Sequence, residues 1–94
     1  MGMLLTMLKA DLGILTTTLY DERLSQYIES ARAAILQEGA TTLDPDANML
    51  DAQLVVMYAA WLFRRRDAMD GMPRMLRWAL NNRIMSEKAG AAHD

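Results

Sequence analysis

The apolar run Leu54-Val55-Val56-Met57-Tyr58-Ala59-Ala60-Trp61-Leu62-Phe63 decides the fold of this 94-residue chain. No residue in the run is charged, so a helix built from it is apolar on every face and has to be covered on more than one side. A single subunit of this size is not expected to cover it alone, so the run predicts that copies of the chain pack side by side. A buried strand is the competing interpretation. Ala59 and Ala60, together with the helix-forming residues on both flanks, favour a helix. We expect that helix to span residues 45–67.

Two further helices are predicted before the run, because glycines end two segments of helical apolar spacing. The first helix covers residues 3–12 and stops at Gly13, and the second covers residues 19–38 and stops at Gly39. Glycine is common just after a helix because it adopts the left-handed conformation at little cost. Thr18 is the expected N-cap of the second helix, since an acidic residue follows three positions later, as in a capping box.

Prolines mark the beginnings of the other two helices. Asp44 is the expected N-cap of the third helix, and Pro45 follows in the first turn, where its missing N–H is harmless. Gly71 and Pro73 separate the third helix from a fourth one over residues 73–86.

The sequence therefore predicts one all-α domain over residues 1–86, a compact bundle of about four helices, followed by a mobile polar tail over residues 87–94. The apolar stripes of the helices supply the core, and Met75 is expected to face inward with its neighbours on the fourth helix. The candidate core residues are Leu24, Tyr27, Ile28, Ile35, Leu54, Met57, Tyr58, Trp61, Leu62, Leu76 and Leu80.

Charge is unevenly distributed along the chain, although the formal net charge is only −2. Residues 1–60 carry three basic and eight acidic groups, whereas residues 61–94 carry seven basic and four acidic groups. This polarity favours head-to-tail contacts between copies, and the net acidity argues against a dedicated nucleic-acid binder. The ten-residue apolar run is about half of what a membrane span needs, so we expect no membrane contact.

Arginines concentrate after the apolar run. The triplet Arg64-Arg65-Arg66 has two interpretations, as cations stabilised at a helix C-terminus or as contacts to a neighbouring subunit. The second interpretation arises because three consecutive side chains spread over about 200° of a helix and cannot all serve one helix end. Trp78 suits the core and an interface equally well. The candidate oligomer interface consists of Arg64, Arg65, Arg66, Arg74, Arg77, Trp78 and Arg83.

Residues that could carry chemistry are scarce. The single histidine, His93, lies one residue from the end of the chain, where the fixed position that acid–base catalysis requires is not expected. Cysteine is absent. Asp44, Asp46 and Asp51 lack the glycine-containing twelve-residue spacing of a calcium loop and are better explained as acids at a helix N-terminus. We expect no enzymatic activity, no cofactor and no metal.

Four stretches of sequence follow one another with short gaps. They are Leu4-Leu5-Thr6-Met7-Leu8-Lys9-Ala10-Asp11-Leu12-Gly13-Ile14; Asp21-Glu22-Arg23-Leu24 leading into Tyr27-Ile28-Glu29-Ser30-Ala31; Asp51-Ala52-Gln53 leading through the apolar run into Arg64-Arg65-Arg66; and Gly71-Met72-Pro73-Arg74-Met75-Leu76-Arg77-Trp78-Ala79-Leu80-Asn81-Asn82-Arg83. In this order and length they resemble the head-tail connector (adaptor) family of tailed double-stranded DNA phages and prophages. The resemblance covers nearly the whole chain and leaves the loop around residues 39–49 and the tail unassigned.

The resemblance implies a four-helix adaptor that has no enzymatic activity and forms a ring, expected to be dodecameric, below the portal of the capsid. Such a ring continues the DNA channel toward the stopper and the tail, and DNA passes through it without sequence-specific binding. The implied partners are further copies of the chain, the portal protein and the stopper (head-tail joining) protein. The implied location is the virion, after synthesis in the cytoplasm of the bacterial host. A small helical DNA-binding regulator, whose arginines contact phosphate, is the alternative.

Overall fold

The computed structural model describes residues 2–65 and 71–92 and contains four α-helices with no strand in that part of the chain. The helices are α1 (Met3–Leu12), α2 (Asp21–Glu38), α3 (Met49–Arg64) and α4 (Arg74–Ala92). The predicted all-α bundle of four helices is therefore confirmed. Arg66, His93 and Asp94 lie outside the described residues.

Helix α3 lies at the centre and packs against α1, α2 and α4. Arg64 at the end of α3 reaches Asp11 at the end of α1, so these two helices run in the same direction. Helix α4 runs antiparallel to α3, because its start lines one groove with the end of α3, whereas Arg83 at its middle contacts Asp51 in the first turn of α3. The Cα atoms occupy 46 × 30 × 17 Å, which makes the bundle a flat slab.

The apolar run is largely covered within the chain itself. Val55 and Ala59 are fully buried, and Val56 is 6% exposed. Three helices of the same chain thus supply the coverage that the run requires. Met57 is the exception, since 37% of it is exposed, and its assignment to the core is wrong. It points between its buried neighbours toward solvent.

The other candidate core residues fall into two groups. Tyr27, Trp61 and Leu62 are half-buried and pack against the core from its edge. The fully or nearly fully buried candidates are Leu24, Ile28, Ile35, Leu54, Tyr58, Leu76 and Leu80.

Two predicted helix caps are wrong. Helix α3 begins four residues after the expected position, because Asn48 is its N-cap and the side-chain oxygen of Asn48 accepts hydrogen bonds from the N–H groups of Leu50 and Asp51. Asp44 lies instead in the preceding turn. Helix α2 begins at Asp21 without a side-chain cap, and Thr18 contributes only its carbonyl oxygen to the turn before the helix.

Both ends of the fourth predicted helix also differ from the expected limits. Helix α4 begins one residue after Pro73 and continues to Ala92, six residues past the predicted end. Residues 87–92, expected in a mobile tail, are therefore helical. Gly39 ends α2 with a φ of 128°, a conformation that favours glycine, and the turn that follows brings Thr41 and Thr42 next to Glu87 of α4.

Candidate interaction surfaces

A buried ion pair joins the start of α3 to the second half of α4. Arg83 Nε donates a hydrogen bond of 2.6 Å to Asp51 Oδ1, and the side chains of the two residues are 18% and 2% exposed. Burial by itself raises the pKa of Asp51, but hydrogen bonds from Arg83 and from the N–H of Asp44, with the charge of Arg83, outweigh it and hold that pKa below its usual value. Arg83, a predicted interface residue, is thus an internal contact.

Glu87 forms a clasp between α4 and the turn after α2. Its Oε2 accepts hydrogen bonds from the hydroxyl and the N–H of Thr41, at 2.6 and 3.1 Å, and its Oε1 accepts the same two kinds of bond from Thr42, both at 2.7 Å. The hydroxyl bonds of Thr41 and Thr42, followed by the backbone bonds, lower the pKa of Glu87 to about 2. Arg83 donates to the Thr42 hydroxyl at 2.9 Å and so joins the clasp to the ion pair.

Two more arginines of the predicted interface also bind carboxylates of their own chain. Arg77 holds Glu38 at the end of α2 through two hydrogen bonds of 2.9 and 3.3 Å. Arg64 lies 3.5 Å from the Asp11 carboxylate and donates to the Asp11 carbonyl oxygen. Both arginine side chains remain substantially exposed. A partner can contact them only through the part of the guanidinium that these bonds leave uncovered.

Arg65 lies differently, because its guanidinium stacks on the ring of Trp61 at 4.8 Å from the ring centroid. A groove of about 390 Å³ opens beside this stack, between the end of α3 and the start of α4, and Met57 and Met75 are among its lining residues. Met57 and the arginines at the end of α3 thus line the same groove.

Three large exposed apolar side chains lie along one face of α4. Met75, Trp78 and Met85 are 68%, 63% and 63% exposed, and they lie opposite Leu76 and Leu80, which are buried against the core. The expected inward position of Met75 is therefore wrong, whereas Trp78 lies on the outer face rather than in the core. We call the row the α4 stripe; it consists of Met75, Trp78, Asn82, Met85 and Ala89, all exposed.

A second exposed row runs along α2, on the side away from the buried residues Leu24 and Ile28. It is acidic near the N-terminus of the helix and apolar near the C-terminus, where Leu36 is 41% exposed. We call it the α2 stripe; it consists of Glu22, Gln26, Glu29, Ala33 and Leu36.

Sequence reasoning from charge density found the arginines but missed the two stripes and the clasp. A signal for the α4 stripe exists in the sequence: Met75, Trp78 and Met85 recur at helical spacing on the face opposite Leu76 and Leu80. Only one of those faces can belong to the core of a small bundle. The bond between Glu87 and the two threonines joins residues 45 and 46 positions apart, and no local pattern indicates it.

Within residues 2–65 and 71–92, no group of acidic or histidine side chains is arranged to hold a metal ion. In that same part of the chain, no helix has the length and apolarity to cross a membrane. No protein-family model, no curated protein and no solved structure matches the chain. The surfaces described above and the order of the sequence motifs are therefore the basis for a functional proposal.

Proposed function

We propose that this chain is a structural subunit that assembles side by side with copies of itself into a ring, as the head-tail connector of a tailed phage or prophage. The ring, expected to be dodecameric, sits below the portal and continues the DNA channel to the stopper and the tail. The subunit performs no chemistry. Its location in this proposal is the virion, after synthesis in the bacterial host.

The α4 stripe is the observation that carries the proposal. Trp78 and Met75 are about two-thirds exposed on a helix whose opposite face is already buried. Exposed apolar side chains that stand singly need no explanation, but Met75 and Trp78 lie one turn apart on the same face, and an exposed tryptophan beside another large apolar side chain is typical of an interaction site. The apolar run of α3, by contrast, is covered within the chain and no longer supports self-association.

The flat shape of the bundle and the order of its sequence motifs support a ring in particular. A ring subunit needs two different surfaces that fit each other and close after a fixed number of copies. The α4 stripe and the α2 stripe are two such different surfaces, one apolar with basic neighbours and one with acidic residues. The resemblance to phage connectors supplies the portal and the stopper as the partners above and below the ring.

The alternative, a small DNA-binding regulator, is weakened by the internal contacts of the arginines. Arg83 is bound to the buried Asp51 and would have to leave that carboxylate before it could contact a phosphate, and the charge of Arg77 is already paired with Glu38. The net charge of −2 adds a general repulsion from DNA.

Deletion of the gene from the phage or prophage that encodes the chain tests this function. We expect DNA-filled heads that carry no tails, because the channel below the portal is not extended, and we expect complementation in trans to restore tailed particles. Electron microscopy of the lysate distinguishes the two kinds of particle. Normal tailed particles in the deletion strain would exclude a connector role, and a steeply salt-dependent shift of duplex DNA by the purified protein would favour the regulator instead.

A further inference from the structure

The two stripes have the same spacing. The α4 stripe advances from residue 75 to 89 in steps of three, four, three and four, and the α2 stripe, read backward from residue 36 to 22, advances in the same steps. This is the spacing of residues along the seam between two packed helices. Reading one helix backward corresponds to antiparallel packing.

We infer that the α4 stripe of one copy packs antiparallel against the α2 stripe of the next copy. The inference rests on the proposed self-assembly and names the two surfaces that meet in it. Because the two surfaces differ, the contact leaves an unused α2 stripe on one copy and an unused α4 stripe on the other, and the chain of contacts continues until the ring closes.

Antiparallel alignment gives Met75 and Trp78, two of the large apolar residues of the α4 stripe, apolar partners, whereas Met85 and Ala89 come opposite Gln26 and Glu22. Met75 comes opposite Leu36, and the large Trp78 comes opposite the small Ala33. At the centre, Asn82 comes opposite Glu29, where its amide N–H groups can donate to the carboxylate. A parallel alignment would instead place Met75 opposite Glu22 and Trp78 opposite Gln26, with apolar and polar side chains in contact.

Charge supports the same pairing and opposes the symmetric ones. Between residues 74 and 92, Glu87 is the only acid, and it is held by the two threonines of the clasp. Because Arg77 and Arg83 are paired inside the subunit, an antiparallel pair of α4 helices would bring Arg74 of one copy near Lys88 of the other with no free acid between them. In the antiparallel alignment Lys88 lies next to Glu22 of the neighbour, and Arg74 lies near the C-terminal end of α2, the negative end of the helix dipole. Arg23 and Arg32 lie on the flanks of the α2 stripe rather than within it.

Cysteine cross-linking tests the contact directly, since the chain has no cysteine of its own. Glu29→Cys and Asn82→Cys are prepared as separate full-length variants, and both side chains are exposed in the subunit. The inference predicts a disulfide-linked dimer when the two variants are mixed and oxidised, alone or on portal rings, and no dimer from either variant by itself. Ser30→Cys and Asn81→Cys are the matched control pair, because each lies one residue along the same helix and about 100° away from its stripe.

Each outcome decides the inference. A cross-link from the mixture of Glu29→Cys and Asn82→Cys but not from the control pair supports it. A dimer from Asn82→Cys alone indicates a symmetric α4 contact and overturns it, as does equal cross-linking of the control pair or no cross-link at all. If a ring assembles but does not cross-link, the contact is refuted and the proposed function stands. If the ring cross-links but never binds portal, the contact stands and the proposed function is refuted.

Discussion

Replacement of Trp78 by serine is the perturbation that most sharply separates the assembly surface from the core. Trp78 is 63% exposed on the outer face of α4, so the isolated subunit loses little packing. The buried third of the side chain, about 55–95 Å², contributes about 1–2 kcal/mol to the free energy of unfolding, a loss that we expect the subunit to tolerate. Self-association, in contrast, loses the largest side chain of the contact.

The size of that loss follows from the exposed area of Trp78. A buried aromatic side chain covers about 150–250 Å², and with 63% of it exposed in the subunit, about 95–160 Å² is left for a partner to cover. At about 25 cal/mol per Å², that area contributes about 2–4 kcal/mol to association. The dissociation constant of the subunit contact is therefore expected to rise roughly 30-fold to 1000-fold.

Sedimentation velocity over a range of protein concentrations measures this shift, and thermal unfolding checks the subunit. Leu19→Ser is the matched control, because Leu19 is 78% exposed but lies in the turn before α2, outside both stripes. We expect Trp78→Ser to remain folded and to associate far more weakly than Leu19→Ser. Equal association of the two variants and the wild type would refute the reasoning that the α4 stripe is the assembly surface.

Three further predictions concern the contacts inside the subunit. Arg83→Ala leaves the Asp51 carboxylate buried without its cation, and we expect a loss of about 3–5 kcal/mol in the free energy of unfolding, measured by urea denaturation; a loss below about 1 kcal/mol would contradict a buried pair. The pKa of Glu87 is about 2, against an ordinary 4.5, so its ionised carboxylate stabilises the fold fully above pH 4.5 and progressively less as the pH falls toward 2. Acid unfolding of Glu87→Gln should therefore lose part of the pH dependence that the wild type shows. Identical pH profiles of the two proteins would count against the clasp. Asn48→Ala should lower the free energy of unfolding by about 0.5–2 kcal/mol, because the helix loses its N-cap, and Asp44→Ala should lower it by less. The opposite ranking would indicate that Asp44 caps α3, as the sequence predicted.

Periodicity and glycine stops were sufficient to predict the architecture. The predicted limits of α1 agree with the structure, and α2 ends at Gly39 as expected, because the glycines Gly13 and Gly39 carry the positive φ that their positions require. Local cap rules were less successful. Asp44-Pro45 has every local feature of a helix start, but the N–H of Asp44 donates to the Asp51 side chain. This bond stabilises a turn before a helix that begins at Met49, with Asn48 as its N-cap.

The interaction surface was harder to predict because the role of a charged side chain depends on long-range partners. Arg83 and Trp78 were chosen from the same basic helix, yet one is bound inside the subunit and the other lies outside it. The difference comes from Asp51, which is 32 residues away in sequence and next to Arg83 in space. The excess of apolar residues in the α3 run was likewise misleading, because the subunit covers that run with its own helices.

The mass of the purified chain, measured alone and then mixed with portal rings, tests most directly whether copies assemble through their flanks. Native mass spectrometry resolves the number of subunits in each species. We predict either a closed ring of the free chain or a portal complex that gains one copy per portal subunit, twelve in the expected case. A single-subunit mass at every concentration, together with an unchanged portal mass, would contradict the proposed assembly.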